Sequence, residues 1–133
     1  MSRYRIILAE DHVLMRKGIK KLIQENPELE VVDEADDGLE LLQLLEESVP
    51  DLVILDISMP RLQGLEAVKI IKALYPEVKV LVLTMHKDKD YLYRAMDKGA
   101  DGYLLKEEPP ESFYAAIEAI RQGKTYISPL LFV

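Results

Sequence analysis

There is no cysteine in this chain of 133 residues. That excludes a disulfide scaffold, a cysteine nucleophile and any metal or cluster held by thiolates. No apolar run approaches the roughly 18 residues that would suggest a membrane span. The opening MSRYRIILAED holds too short an apolar stretch for a secretion signal and ends in acids. A cytoplasmic protein without a membrane partner is therefore expected. Basic charge is in deficit, 17 Lys and Arg against 24 Asp and Glu for a net charge of −7, which argues against a nucleic-acid-binding surface. The glycine signatures of nucleotide sites are missing as well. The turn AEDHVLMRKG carries neither G-x-G-x-x-G nor G-x-x-x-x-G-K-[ST]. No G-x-S-x-G elbow offers a serine nucleophile. His12 and His86 are too few and too far apart in sequence to argue for zinc, and solvated or capping roles suit both. Internal repeats and low-complexity segments are absent too.

What is present suits one soluble domain with a real core, since 49% of the residues are hydrophobic and 31% are charged. The chain is organised around DLVILDISMP, residues 51–60. Four apolar residues bounded by acids read as a strand buried on both faces of a parallel sheet. Asp56 stands where that strand stops, and Pro60, which cannot donate to a ladder, closes the segment. An acid at such a place can simply cap the next helix.

The rest of the chain alternates in the same way. Apolar runs at residues 5–9, Leu29–Ala35, 51–56, 78–83 and 101–106 read as strands. Helices are expected from residue 12 to about 26, over Gly38–Glu47, over 65–75, after an N-cap at Asp88, and from Pro109-Pro110 onward. Their inward positions repeat at helical spacing: Met15, Ile19, Leu22 and Ile23; Leu41, Leu42, Leu44 and Leu45; Ala67, Ile71 and Leu74; Leu92, Ala95, Met96 and Gly99; Phe113, Ala116, Ile117 and Ile120. Arg16, Lys17, Lys20 and Lys21 read as a solvated face, and Asp36-Asp37-Gly38 reads as a turn. The alternation predicts an α/β fold, a doubly wound parallel five-stranded sheet with strand order 2-1-3-4-5 and helices on both faces. The tail KTYISPLLFV has no element left to pair with. Residues 1–123 form the expected domain, and 124–133 are a docking tail or the start of a linker.

Ligands of such sheets bind in the crevice at the carboxyl ends of the strands. Those ends carry Glu10 and Asp11, Asp56, Thr84 and Lys106. Three carboxylates in one crevice repel one another and call for a cation, and hard oxygen donors suit Mg²⁺. A carboxylate beside a metal and an ammonium is a place to accept a phosphoryl group. The carboxylate attacks, the metal and Lys106 neutralise the transferring oxygens, and Thr84 donates to one of them.

Taken together, Glu10-Asp11, Asp56 in DLVILDISMP, Thr84 in VLVLTMH and Lys106 in GADGYLLK resemble the receiver domains of bacterial response regulators. The likeness runs over residues 3–122 and implies the flavodoxin-like (βα)5 fold. GADGYLLK, the following PPE and the closing GKTYISP are most similar to the NarL/FixJ class, in which a LuxR-like helix-turn-helix domain follows the receiver. The resemblance implies Asp56 as phospho-acceptor and Mg²⁺ bound by Asp11, Asp56 and the backbone carbonyl of Ser58, with Glu10 acting through water. It implies Thr84 and Tyr103 as a switch pair and Lys106 as the partner of the phosphoryl oxygen. A sensor histidine kinase is the implied donor, with homodimerisation on phosphorylation as a possible response. DNA would be reached only through a C-terminal output domain absent from these residues, since no basic helix pair follows residue 123. The chain would be no enzyme in the ordinary sense, catalysing only its own phosphorylation and dephosphorylation.

Two positions depart from the pattern. Glu107 stands where a proline with a cis bond often follows the lysine, which leaves the isomer of that peptide open. Met85 stands where the residue after the threonine is often small. It would act as a partial lid on access to Asp56, or turn away and pack on the fourth helix. Taken alone, Tyr103 reads as packing and Lys106 as a surface lysine, and Tyr91 and Tyr93 read as ordinary exposed tyrosines, with a partner surface as the alternative. Two other functions compete. A phosphohydrolase of the haloacid-dehalogenase type would carry D-x-D at its first strand, whereas the residue two along from Asp56 is Ser58. A receiver-shaped module that is never phosphorylated would not need the full acid set with Thr84 and Lys106.

Overall fold

All five residues of the strand Leu52–Asp56 are buried, and the four apolar side chains divide between two cores. This is the central strand of a computed structural model that describes residues 3–59 and 64–132. The predicted stop at Pro60 lies outside those residues. In chain order the elements are β1 (Tyr4–Ala9), α1 (Val13–Gln24), β2 (Leu29–Ala35), α2 (Gly38–Glu47), β3 (Leu52–Asp56) and α3 (Gly64–Leu74). They continue with β4 (Lys79–Thr84), α4 (Lys89–Asp97), β5 (Gly102–Leu105), α5 (Pro110–Arg121) and β6 (Tyr126–Ile127), and a short 3-10 turn spans Pro129–Phe132.

The sheet runs β2-β1-β3-β4-β5-β6, and every pair is parallel. Residues that alternate along a strand point to opposite faces. Leu52 and Ile54 therefore join Ile6, Leu8, Leu81 and Leu104 under α1 and α5, with Ile19, Ile23, Phe113 and Ile117. Val53 and Leu55 join Ile7, Val80, Val82 and Tyr103 under α2, α3 and α4, with Leu41, Leu45, Val68, Ile71 and Leu92. Helix starts follow local chemistry. Asp37 caps α2 by accepting from the Glu40 N–H at 2.8 Å, and Asp88 caps α4 by accepting from the Asp90 N–H at 2.8 Å. Pro110 occupies the first turn of α5, where its missing N–H costs nothing.

The structure corrects several expectations. The tail does pair: β6 lies parallel to β5, with Tyr103 opposite Ile127, so the sheet has six strands rather than five. Leu131 is buried in the same core as Tyr103. Leu74 is 66% exposed, because α3 ends there; its inward set is Gly64, Leu65, Ala67, Val68 and Ile71. The basic face of α1 is only partly solvated. The Arg16 guanidinium pairs with Asp36 and lies 3.4 Å from Glu34, and Lys20 pairs with Glu34 at 2.8 Å. Asp36-Asp37 is therefore an ion-pair partner and a helix cap as well as a turn. No peptide among the described residues is cis, so Lys106–Glu107 is trans.

Candidate functional site

Parallel strands end on one edge of the sheet, so the residues that finish β1, β3, β4 and β5 share one rim. Glu10 follows β1, Asp56 ends β3, Thr84 ends β4 and Lys106 follows β5. The backbone keeps them level. The Lys106 N–H donates to the Thr84 carbonyl at 2.8 Å, and the Ile57 N–H donates to the Leu83 carbonyl at 3.3 Å.

Lys106 is the hub. Its ammonium lies 2.8 Å from Oε1 of Glu10 and 3.0 Å from Oδ2 of Asp56, and both carboxylates are buried. The other oxygen of Asp56, Oδ1, accepts from the Ser58 N–H at 2.9 Å and from the Ser58 hydroxyl at 2.7 Å. Oε2 of Glu10 accepts from the His12 N–H at 3.1 Å. These contacts drive the two acids apart. Burial pushes Glu10 above its ordinary value, beyond what Lys106 and the His12 N–H can offset. Burial acts on Asp56 in the same sense, but the Ser58 and Lys106 donors overcome it and hold that carboxyl below the ordinary range. Burial weakens the Lys106 ammonium, yet Glu10 and Asp56 more than compensate and raise its pKa. The donors around Asp56 thus favour its charged form.

Asp11 lies exposed on the same rim. One carboxylate oxygen from each of Glu10, Asp11 and Asp56 falls within 4.8 Å of the others. Oε1 of Glu10 is buried and, among the described residues, meets only the Lys106 ammonium. Three hard oxygen donors, one of them short of partners, fit a hard divalent cation.

Thr84 and Tyr103 are both fully buried. His86 links them through its backbone: its N–H donates to Oγ1 of Thr84 at 2.9 Å, and its carbonyl accepts from the Tyr103 hydroxyl at 3.1 Å. Burial pushes Tyr103 up to about 12. The His86 ring stacks on Tyr91 of α4 with centroids 4.1 Å apart, while Tyr93 stays exposed. Met85 does not bury itself against α4. It is 74% exposed and shares a cavity of about 540 Å³ with His12, Leu14, Met15, Lys106 and Glu107.

The structure therefore brings the side chains of Glu10, Asp11, Asp56 and Lys106 together, and places Thr84 beside them through its backbone, its hydroxyl turned to the His86 N–H. Sequence reasoning missed two features. Ser58 was expected only through its carbonyl, although a hydroxyl two residues after an acid is well spaced to bond it. Glu108 is buried behind Lys106, and its partner Ser128 lies 20 residues away, a separation that leaves no local signal.

Comparison with known proteins bears on the domain as a whole. The family described as the response regulator receiver domain matches residues 6–118. The transcriptional regulatory protein DegU of Brevibacillus brevis is 39% identical over 128 residues, covering 96% of this chain and 54% of that protein. The oxygen regulatory protein NreC of Staphylococcus carnosus is 39% identical over 126 residues, covering 94% and 58%. The chain thus spans little more than half the length of these curated relatives. Among solved structures, a LuxR-family two-component response regulator from Aurantimonas sp. SI85-9A1 superposes with a TM-score of 0.93 at 36% identity, covering 98% of this chain and 93% of that one. The isolated REC domain of RcsB from Salmonella enterica serovar Typhimurium, solved with the phosphomimetic BeF3-, gives 0.92 at 28% identity, covering 98% and 96%.

Proposed function

The chain belongs to the response regulator receiver family, of the LuxR-associated class, and from that premise we propose that Asp56 is the residue that takes up the phosphoryl group. One observation carries the assignment. Asp56 is the buried acid whose two oxygens are both held by donors, one by Ser58 and one by Lys106, and whose pKa is lowered while that of neighbouring Glu10 is raised.

The Asp56 carboxylate attacks the phosphorus of a phosphohistidine on a sensor kinase, or of a small acyl phosphate. The bond from phosphorus to the donor breaks, and its electron pair leaves with the imidazole or the carboxylate. Lys106 moves its charge onto a phosphoryl oxygen, and Thr84 donates its hydroxyl to another. Asp11 and Asp56, the Ser58 carbonyl, and Glu10 through water would hold Mg²⁺, which supplies positive charge to the transferring oxygens. Attack of water on the acyl phosphate later releases phosphate and restores Asp56. Thr84 and Tyr103, joined through His86, form the switch that favours one of two conformations. By analogy with DegU, a transcriptional regulatory protein, and with RcsB, seen in a DNA complex, the whole protein would control transcription through a DNA-binding output domain following the receiver.

The test is labelling by acetyl phosphate with Mg²⁺. The native chain should take up one phosphoryl group, and Asp56→Asn should take up none. Undiminished labelling mapped to Asp11 would overturn the assignment, and turnover of a phosphomonoester would favour a phosphohydrolase instead.

A further inference from the structure

Behind Lys106 lies a second buried acid that the phosphoryl chemistry does not use. The turn from Leu105 to Glu108 is closed from both ends. The Glu108 N–H donates to the Leu105 carbonyl at 3.1 Å, and Oε2 of Glu108 accepts from the Leu105 N–H at 3.2 Å. Lys106 sits within this turn. The same Oε2 also accepts from the hydroxyl of Ser128, which is fully buried. Ser128 belongs to the segment after α5. Its own N–H donates to the Tyr103 carbonyl at 2.9 Å, and its carbonyl accepts from the Leu131 N–H at 3.2 Å. One carboxylate oxygen therefore joins three things: the residue before Lys106, the backbone beside Tyr103, and the turn that buries Leu131.

A surface serine pairing with a surface acid would carry no argument. Here both groups are withdrawn from water, and a buried polar group that loses its partner is costly. The turn and the tail must therefore move together or break a contact. We infer that Glu108 is a positioning residue that couples the phosphoryl site to the segment after α5, the Glu108–Ser128 contact belonging to the arrangement in which Lys106 bridges Glu10 and Asp56. The inference rests on the reading of Asp56 as phospho-acceptor with Lys106 as its partner. When Lys106 is drawn onto a phosphoryl oxygen, the turn shifts, the contact to Ser128 weakens and the tail loosens. Coupling of binding equilibria is reciprocal. A tail already cut loose must therefore make the site easier to load.

Two measurements on the same chain test this. Beryllofluoride with Mg²⁺ serves as the phosphoryl probe, its binding followed by fluorine NMR, and hydrogen exchange reads the amides of Ser128 and Leu131. In the native chain, beryllofluoride should speed exchange at those two amides several-fold. Ser128→Ala and Glu108→Ala should each tighten beryllofluoride binding by roughly two- to ten-fold, the size of effect seen when coupling is altered away from both ligands. The double variant should gain no more than either alone. Glu108→Gln keeps an acceptor oxygen and should behave like the native chain, which a merely electrostatic role would not allow. Unchanged exchange on beryllofluoride binding overturns the coupling, as does unchanged affinity in both alanine variants. A native chain that binds no beryllofluoride and takes up no label overturns the phospho-acceptor reading itself, and the coupling falls with it.

Discussion

Lys106 shows how little a single residue type says until its neighbours are known. By sequence it is one lysine among 17 basic residues; in place it bridges two buried carboxylates. The rim acids, Thr84 and Lys106 were legible because each follows an apolar run, and the position of a strand end is a local property. Ser58's hydroxyl and Glu108 were not, because what matters there is which atom faces which. Met85 lies on the open side of this rim, at 74% exposure beside Lys106. As a proposed lid, a long flexible side chain there would obstruct donor and water alike. Met85→Ala should speed both labelling by acetyl phosphate and loss of the aspartyl phosphate by about three-fold, on the order of 1 kcal/mol or less in barrier. Measuring the two rates at equal Mg²⁺ checks this; unchanged rates would show that Met85 is no lid. Tyr103 gives a pH prediction. Its pKa in the folded chain is raised to about 12 from an ordinary 10, chiefly by burial. The neutral phenol is preferred in the fold, so its stabilisation is complete below pH 10 and is lost as pH rises from 10 toward 12. An ultraviolet tyrosinate titration should show late-titrating groups, Tyr4 among them, and Tyr103→Phe should remove one.

At the scale of elements, the sequence marked helix α2 to the residue, because apolar period is written locally, while the order of β1 to β5 followed from the strand–helix alternation and the common order of a five-stranded doubly wound sheet. It did not mark β6. Tyr126–Ile127 is too short to carry an alternation, and what makes it a strand is the open edge of β5 with Leu131 set into the core beyond it. A boundary at residue 123, drawn because the tail had no element left to pair with, falls between α5 and β6 and would sever this docking. A chain ended at Gly123 should therefore fold but melt roughly 5–10 °C lower, since burial of Leu131 alone is worth about 1.5–3 kcal/mol. Thermal unfolding of the two lengths decides it, and equal midpoints would make β6 an ornament. Gly64 opens α3 so close to β3 that an added Cβ would lie 2.1 Å from the Ile57 Cα. Gly64→Ala should force the chain after Asp56 aside, lowering both stability and the labelling rate.

The whole molecule carries a net charge of −7, and three of its carboxylates converge on one rim. A cation that binds the folded chain and not the unfolded one stabilises it by mass action, about 2.7 kcal/mol at a hundred times the dissociation constant. Millimolar Mg²⁺ should therefore raise the melting temperature, a chelator should reverse the rise, and Asp11→Asn should abolish most of it. A phosphoryl group adds up to about two more negative charges; with Thr84 and Tyr103 as the proposed switch, α4, β5 and α5 should change most. Sedimentation with and without beryllofluoride tests whether this drives homodimerisation; a monomer in both conditions would rule it out for this domain. The parallel sense of β6 has a further consequence for whatever is joined to the C-terminus. Because β6 runs parallel to β5, Tyr126 and Ile127 lie along Gly102 and Tyr103 on the edge of the sheet, and Leu131 ties the segment that follows into the core. A body tethered beyond this segment would be held beside the domain at an effective concentration in the millimolar range for a short flexible link. Even a weak contact between the two would then be occupied, and a switch that alters only that contact could decide whether the tethered body is free.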